Sequence, residues 1–154
     1  MRITVCAIGR MRDKHERALA EGYMSRAQAL GRSLGITDVS LTEIETKGDT
    51  QADAKALLAA LPDTALIVAL DETGRQRTSR DLAHWLDQQK DGSTRDIAFV
   101  IGGADGHGPE VISKARETLS LGAMTWPHML ARIMLLEQIY RAISILARHP
   151  YHRD

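Results

Sequence analysis

Residues 96–109 read DIAFVIGGADGHGP, an apolar run that stops in a loop carrying four glycines. The apolar part, Ile97–Ile101, has the length and the unbroken hydrophobic character of a buried strand. Glycine directly after a strand lets the backbone approach a ligand closely, because no Cβ stands in the way. In open α/β sheets such approaches occur at the carboxyl ends of strands. The stretch therefore predicts a small-molecule site built mostly from backbone.

The rest of the chain alternates apolar strands with helical segments. Other strands are predicted at Arg2–Ile8, Val39–Ile44 and Ala65–Leu70, and a further short apolar run at Leu119–Met124. Helices are predicted at Asp13–Leu34, Ala52–Leu61 and His128–Arg148. The first of these has Leu19, Tyr23, Ala27 and Leu30 on one face. A further helix is predicted from a capping box at Thr78–Asp81 to about Lys90. This alternation predicts an α/β fold, a mostly parallel sheet with helices on both faces. The length predicts a single domain, residues 1–154.

Three strand ends are predicted to meet glycine-bearing loops. The first is Leu70 followed by Asp71–Gly74, a turn by composition. The second is Gly102–Gly108, and the third is Leu121–Ala123. Because parallel strands end at the same edge of a sheet, these loops are expected to form one site.

Composition and motifs exclude several classes of function. Lys and Arg number 20 and Asp and Glu number 20, so the net charge is zero, which argues against holding bare nucleic acid by bulk electrostatics. The single Cys6 excludes an internal disulfide and is expected to be a small buried hydrophobe. No apolar run reaches the roughly 18 residues of a membrane span, and no signal peptide is recognisable. A cytoplasmic protein that does not engage membranes is expected.

The glycine loop does not fit the common phosphate-binding motifs. A dinucleotide fingerprint read from Gly106 needs glycine at position 111, which is Val111. No Gly-Lys-Ser/Thr sequence is present, so a nucleoside-triphosphate P-loop is not supported, and no spacing of Cys or His indicates a metal site. A backbone-lined pocket without a phosphate-gripping lysine suits a nucleoside, with adenine read by main-chain groups against apolar walls.

Several short motifs occur in order along the whole chain. They are Leu70-Asp71-x-x-Gly74, Ile101-Gly102-Gly103-x-x-Gly106, Leu119-Ser120-Leu121-Gly122-Ala123-Met124-Thr125, Pro127-His128, Glu137-Gln138-Ile139-Tyr140-Arg141-Ala142 and Tyr151-His152-Arg153. Together they resemble the RlmH family of SPOUT methyltransferases, once called the YbeA family. Each motif alone is weak, and the combination is specific.

The resemblance implies a fold and an activity. The expected fold is α/β with a C-terminal trefoil knot, which general topology rules would not predict. The implied protein is a homodimer that uses S-adenosylmethionine to methylate N3 of a pseudouridine in 23S ribosomal RNA on the assembled ribosome. Cofactor contacts are implied at Leu70, Gly102 and residues 121–126, that is Leu121, Gly122, Ala123, Met124, Thr125 and Trp126. Gly122 stands where many relatives carry serine, so a hydroxyl contact is not expected there.

The remaining predictions concern a partner subunit for the C-terminal helix and catalysis by the tail. Helix 128–148 is apolar on two sides, so one side is expected to cover the sheet and the other to meet a partner subunit; a helix wholly buried within the chain is the alternative. The resemblance implies that His152 and Arg153 are catalytic, where position alone would indicate a frayed terminus. His152 is the candidate base and Arg153 the candidate electrostatic stabiliser, although the sequence does not decide which residue is the base.

Two other functions are weighed against the methyltransferase. A noncatalytic ribosome-binding or assembly module would keep the loop glycines, whereas His152 and Arg153 favour the enzyme. A flavodoxin-like nucleotide-binding protein is disfavoured because the residues after the first strand, Gly9–Arg12, are unsuited to holding a phosphate.

Overall fold

The fold is a five-stranded parallel sheet, here taken from a computed structural model in which residues 1–153 are described. The strands are β1 Arg2–Ile8, β2 Asp38–Ile44, β3 Leu66–Gln76, β4 Asp96–Ile101 and β5 Glu117–Ser120. Their order across the sheet is β2-β1-β4-β3-β5, and every neighbouring pair is parallel. The predicted α/β class and the predicted strands β1, β2 and β4 are therefore confirmed.

Four α-helices connect the strands, and a fifth follows β5. They are α1 Lys14–Gly31, extended by a 3-10 turn at Arg32–Leu34, α2 Thr50–Ala59, α3 Ser79–Asp91, α4 Pro109–Lys114 and α5 His128–Leu146. The capping box of α3 is present, with Thr78 and Asp81 bonding each other's backbone N–H. The short helix α4 was not predicted. It directly follows the glycine-rich loop, and its only sequence signal for a helix start is Pro109 at the first position.

Helices cover both faces of the sheet. The larger core contains Phe99, Leu86 and Ile139 and packs α1, α3 and α5 on one face, while a smaller one around Leu57 and Val111 packs α2 and α4 on the other. The prediction that Leu19 lies on the inward face of α1 was wrong. Leu19 is 51% exposed, and the residues that α1 buries are Ala20, Ala27 and Gly31.

Strand β3 does not end at Leu70, as the sequence indicated. It continues to Gln76, and the predicted turn Asp71–Gly74 is a bulge inside the strand, since Leu70 and Arg75 both pair with Leu119 of β5. Gly74 is required there: a Cβ on it would lie 2.8 Å from the Leu119 nitrogen. Residues that favour turns also suit bulges, so composition alone did not separate the two.

Candidate functional site

A cleft of about 470 Å³ opens at the carboxyl ends of β3, β4 and β5. This volume falls in the usual range for small-ligand pockets, roughly 300–1,000 Å³. Of the eight residues expected to contact a cofactor, seven line the cleft: Leu70, Gly102, Leu121, Gly122, Met124, Thr125 and Trp126. Ala123 is not among the lining residues. The topology thus brings the three predicted loops to one edge.

The wall after β4 is made of tightly folded backbone. Gly103 and Gly106 form an isolated antiparallel bridge, with the Gly106 N–H donating to the Gly103 carbonyl at 3.0 Å. A Cβ on Gly102 would lie 2.6 Å from the Gly106 oxygen, closer than real Cβ contacts allow. Gly106 has φ +75°, which favours glycine. The close backbone packing at Gly102 and the positive φ of Gly106 both require glycine, so this wall of the cleft is formed by backbone.

The opposite wall is the segment between β5 and α5. The Ser120 hydroxyl donates to the Gly122 carbonyl and accepts from the Gly122 N–H, both at 3.1 Å, which fixes the turn at φ +116°. Met124 is 73% exposed and Trp126 is 38% exposed, so two large apolar side chains border the opening. A flat apolar ligand such as a purine suits this rim.

His107 and Asp71 supply the polarity on the cleft floor. The His107 Nε2 lies 3.1 Å from the Val100 carbonyl oxygen, and its buried Nδ1 has no hydrogen-bond partner among the described residues. Burial lowers the pKa of His107, outweighing the neighbouring Val100 carbonyl and Asp71. Asp71 accepts from the hydroxyl and the N–H of Thr73, which lowers the pKa of its carboxyl. A neutral imidazole and an ionised carboxylate therefore face this ligand space.

Arg132, which sequence reasoning missed, fastens the start of α5 to the sheet. Its guanidinium is fully buried and donates to the carbonyls of Ile8 and Gly9 at 3.1 Å and to Glu43 Oε1 at 2.9 Å. Glu43 also accepts from the Met11 N–H at 2.7 Å. The available sequence signal was an arginine within an otherwise apolar helix.

The tail lies at the other end of α5. Tyr151 donates to Glu137 Oε1 at 2.9 Å, and its ring centroid lies 4.5 Å from that of Tyr140. Glu137 also accepts from Arg141 Nε at 2.9 Å, and Arg141 Nη1 lies 3.5 Å from His152 Nδ1. Within one chain the described residues His152 and Arg153 do not line the cleft.

A family model described as "Predicted SPOUT methyltransferase" matches residues 1–152. The chain belongs to this family. Two curated relatives are named "Ribosomal RNA large subunit methyltransferase H". The one from Hyphomonas neptunium is 44% identical over 99% of each chain, and the one from Cereibacter sphaeroides (strain ATCC 17029 / ATH 2.4.9) is 46% identical over 99% of each. The family resemblance read from the sequence is confirmed.

A solved structure is more distantly similar. The SpoU methyltransferase AviRb from Streptomyces viridochromogenes, in complex with the cofactor AdoMet, aligns with 90% of this chain and 56% of its own, at 14% identity and TM-score 0.43. A likeness at this level assigns no residue of this chain a role.

This SPOUT chain has a second cleft of about 340 Å³ between the start of α3 and the middle of α5. Leu119, Leu121 and Gly122 line both clefts, so the two adjoin along one segment of chain. Within residues 1–153, no group of three or more His, Cys, Asp or Glu side chains could hold a metal ion. None of the helices in that range has the length and hydropathy to cross a bilayer.

Proposed function

We propose that this protein uses S-adenosylmethionine to methylate N3 of a pseudouridine in 23S ribosomal RNA on the assembled ribosome. The observation that carries the proposal is the backbone-built cleft at the carboxyl ends of β3, β4 and β5, in a chain of the SPOUT family with relatives named as rRNA methyltransferases. Its place of action is accordingly the cytoplasm. The chain is proposed to act as one domain over residues 1–154.

The cleft residues fit this cofactor. Leu70, Gly102, Leu121, Gly122, Met124, Thr125 and Trp126 are proposed to hold it, with Ala123 completing the segment through its backbone. The backbone wall at Gly102 and Gly106, the apolar rim and the lack of a lysine among the lining residues suit an adenosine group without phosphates. When bound, S-adenosylmethionine supplies an electrophilic methyl group that N3 accepts as the carbon–sulfur bond breaks.

The tail residues are proposed to handle the proton and the charge. N3 of pseudouridine is an imide nitrogen that attacks best after losing its proton, and His152 would take that proton directly or through water. Arg153 would stabilise charge on the neighbouring carbonyl oxygens or hold a phosphate. Tyr151, hydrogen-bonded to Glu137 and packed against Tyr140, fixes the chain next to both residues.

The protein is proposed to be a two-fold homodimer. A partly exposed stripe runs along α5 through His128, Ala131, Met134, Gln138 and Arg141. His128 lines the cofactor cleft and Arg141 contacts the tail, about 20 Å apart at roughly 1.5 Å per residue. Met134 lies midway, so antiparallel pairing of two stripes about an axis near it would place each tail beside the partner's cofactor cleft.

The exposed side chains near this stripe support the dimer. Leu130 is 43% exposed at the same end of α5 as Met124 and Trp126, and obligate interfaces are typically apolar. Analytical ultracentrifugation at micromolar concentration is expected to give twice the 17.0 kDa chain mass. A stable monomer would contradict the dimer and the shared site together.

A trefoil knot is also proposed for the C-terminal part of the chain. Its support is membership of the SPOUT family, whose model matches residues 1–152. A crystal structure whose traced backbone closes without a knot would contradict this.

The function is tested by transfer of a labelled methyl group from S-adenosylmethionine to purified ribosomes, free large subunits and naked rRNA. Transfer is expected on assembled ribosomes, because a chain with zero net charge gains little RNA affinity from bulk electrostatics and can rely on a shaped, preassembled target. Mapping the product to N3 of a pseudouridine completes the test. Ribosome binding without any transfer would favour the noncatalytic assembly module instead.

A further inference from the structure

Arg132 joins two walls of the cofactor cleft without lining it. On its own helix it directly follows Ala131 and lies one turn after His128, and both of these residues line the cleft. Its guanidinium donates to the carbonyls of Ile8 and Gly9, at the carboxyl end of β1, at 3.1 Å. The start of α5 is therefore fastened to the end of β1.

The end of β1 in turn supports the loop that follows β4. Ala7 is paired with Ile101, the last residue of β4 before that loop. The Ile8 side chain lies 3.4 Å from the point that a Cβ on Gly103 would occupy, and Gly103 lines the cleft. A shift at the end of β1 would therefore move this wall of the cleft relative to α5.

Glu43 of β2 compensates the charge of the buried guanidinium. Its Oε1 accepts from Arg132 Nη1 at 2.9 Å, and its Oε2 accepts from Arg17 Nη2 at 2.9 Å. Burial by itself would raise the pKa of Glu43, but hydrogen bonds from Arg17 and from the Met11 N–H lower it below its usual value. The carboxylate is therefore ionised, and a fully buried cation needs such a partner.

The choice of an arginine here gives geometry more than stability. Apolar residues of similar volume often stabilise a core as well as a buried ion pair does, because they avoid its desolvation cost. A guanidinium can reach two carbonyls and a carboxylate with donors fixed in one plane, which the single ammonium nitrogen of lysine cannot do. The contacts of Arg132 thus define how far the start of α5 lies from the end of β1.

We propose that Arg132, held by Glu43, is a positioning residue that sets the affinity of the cleft for S-adenosylmethionine. This inference rests on the proposed use of that cofactor in the cleft. The cofactor has to fit between the loop after β4 and the start of α5, and Arg132 fixes the distance between these two walls. A preformed cleft binds more tightly, because less ordering has to accompany binding.

Arg132→Lys tests the geometry at constant charge. Lysine can still pair with Glu43, but one nitrogen cannot also span the carbonyls of Ile8 and Gly9. We expect the Kd for S-adenosylmethionine, measured by calorimetry on the folded protein, to rise about tenfold, the effect of one lost hydrogen bond to a charged group. The kcat on ribosomes at saturating cofactor should stay close to wild type, because the tail groups proposed to act in the reaction lie at the other end of α5.

Glu43→Gln is the milder variant and serves if Arg132→Lys fails to fold. Glutamine keeps an oxygen that can accept from Arg132 and removes the negative charge. The guanidinium then has weaker support, so the Kd should rise in the same direction by a smaller factor.

Two controls separate this role from a general loss of stability. Arg2→Lys alters another ion pair of β1, in which Arg2 Nε donates to Asp96 Oδ1 at 2.6 Å at the opposite end of the strand. Ile36→Val lowers Tm by leaving a small cavity at a buried position after α1. Both controls should bind the cofactor with the wild-type Kd.

A purely structural role for Arg132 predicts a different result. Arg132→Lys and Glu43→Gln would then lower Tm, as Ile36→Val does, while the folded proteins kept the wild-type Kd. That result, or a loss of kcat at unchanged Kd, overturns the inference. A wild-type protein that does not bind S-adenosylmethionine overturns the proposed function itself.

Discussion

The two ends of α5 are built in opposite ways. At its start, the cofactor cleft is shaped by backbone, with Gly102 packed against Gly106 and Gly122 turned at positive φ. At its end, the tail is held by side chains, with Glu137 accepting from both Arg141 and Tyr151. The first region should tolerate many changes of side chain but no added bulk at its glycines. The second should lose function through single side chains while the fold persists.

The substitution with the largest expected effect is Gly102→Val, in the region built from backbone. A Cβ at this position would meet the Gly106 oxygen at 2.6 Å, so the Gly102–Gly106 loop, which lines the cleft, has to shift from its position. We expect cofactor binding to be lost, and with it the thermal stabilisation of about 2.7 kcal/mol that a ligand at a hundredfold excess over Kd confers. Calorimetry and melting curves with and without S-adenosylmethionine measure both effects.

The control for that variant is Gly22→Ala in α1. A Cβ there would come no closer than 3.9 Å to another group, and alanine favours helix. Affinity for the cofactor should be unchanged. Binding by Gly102→Val with wild-type affinity would show that the cofactor does not use this cleft.

The tail should respond in the opposite manner. His152→Ala with Arg153→Ala is expected to lower methylation about 10²–10⁴-fold, the range for loss of general acid–base catalysis, with Tm and cofactor affinity unchanged. Exposed residues of α1 and its following turn, changed as His15→Ala with Arg32→Ala, are the control and should leave methylation unchanged. Near-wild-type rates in the tail variant would contradict the catalytic assignment and favour a frayed terminus at His152 and Arg153.

Truncation after Pro150 differs from the double substitution. It also removes Tyr151, which is bonded to Glu137 and packed on Tyr140. We therefore expect a cost of about 1–2 kcal/mol in stability in addition to the loss of activity. Equal Tm values for the truncated and intact proteins would show that Tyr151 does not anchor the tail.

The same contrast explains how much the sequence could predict. Glycines such as Gly102 and Gly122 are visible in the sequence because their backbone role depends on the residue type itself. The bulge at Asp71–Gly74 was mistaken for a turn, since only the pairing of Leu119 with both Leu70 and Arg75 distinguishes them. The tail residues came from family resemblance alone.

The hydrogen bonds of Arg132 and the second cleft were not predictable from local sequence patterns. Arg132 reaches Ile8, Gly9 and Glu43, and Ser79 reaches Gln138, across long separations in the chain. Hydrophobic periodicity reports which face of a helix is buried and says nothing of such pairings. Ser144 shows the same limit: it is a polar residue of α5 and is nevertheless fully buried.

The smallest expected effect concerns pH and His107 in the backbone-built region. Burial lowers the pKa of His107 below its usual 6.5, so the unfolded chain binds more protons than the folded one just below that pH. The stability that the neutral imidazole contributes is complete above pH 6.5 and is lost as the pH falls towards the folded pKa. Melting temperatures should show this decrease, and His107→Leu should flatten it. An identical pH profile in the variant would contradict the assignment.

The most direct test of the shared site uses mixed dimers, with Gly102→Val in one subunit and His152→Ala with Arg153→Ala in the other. Each parent homodimer should be inactive. If each tail serves the partner's cofactor cleft, a mixed dimer keeps one intact site of two, so methylation should return to about a quarter of wild type in a random mixture and about half in purified mixed dimers. Mixed dimers as inactive as their parents would show that cofactor and tail act within one chain.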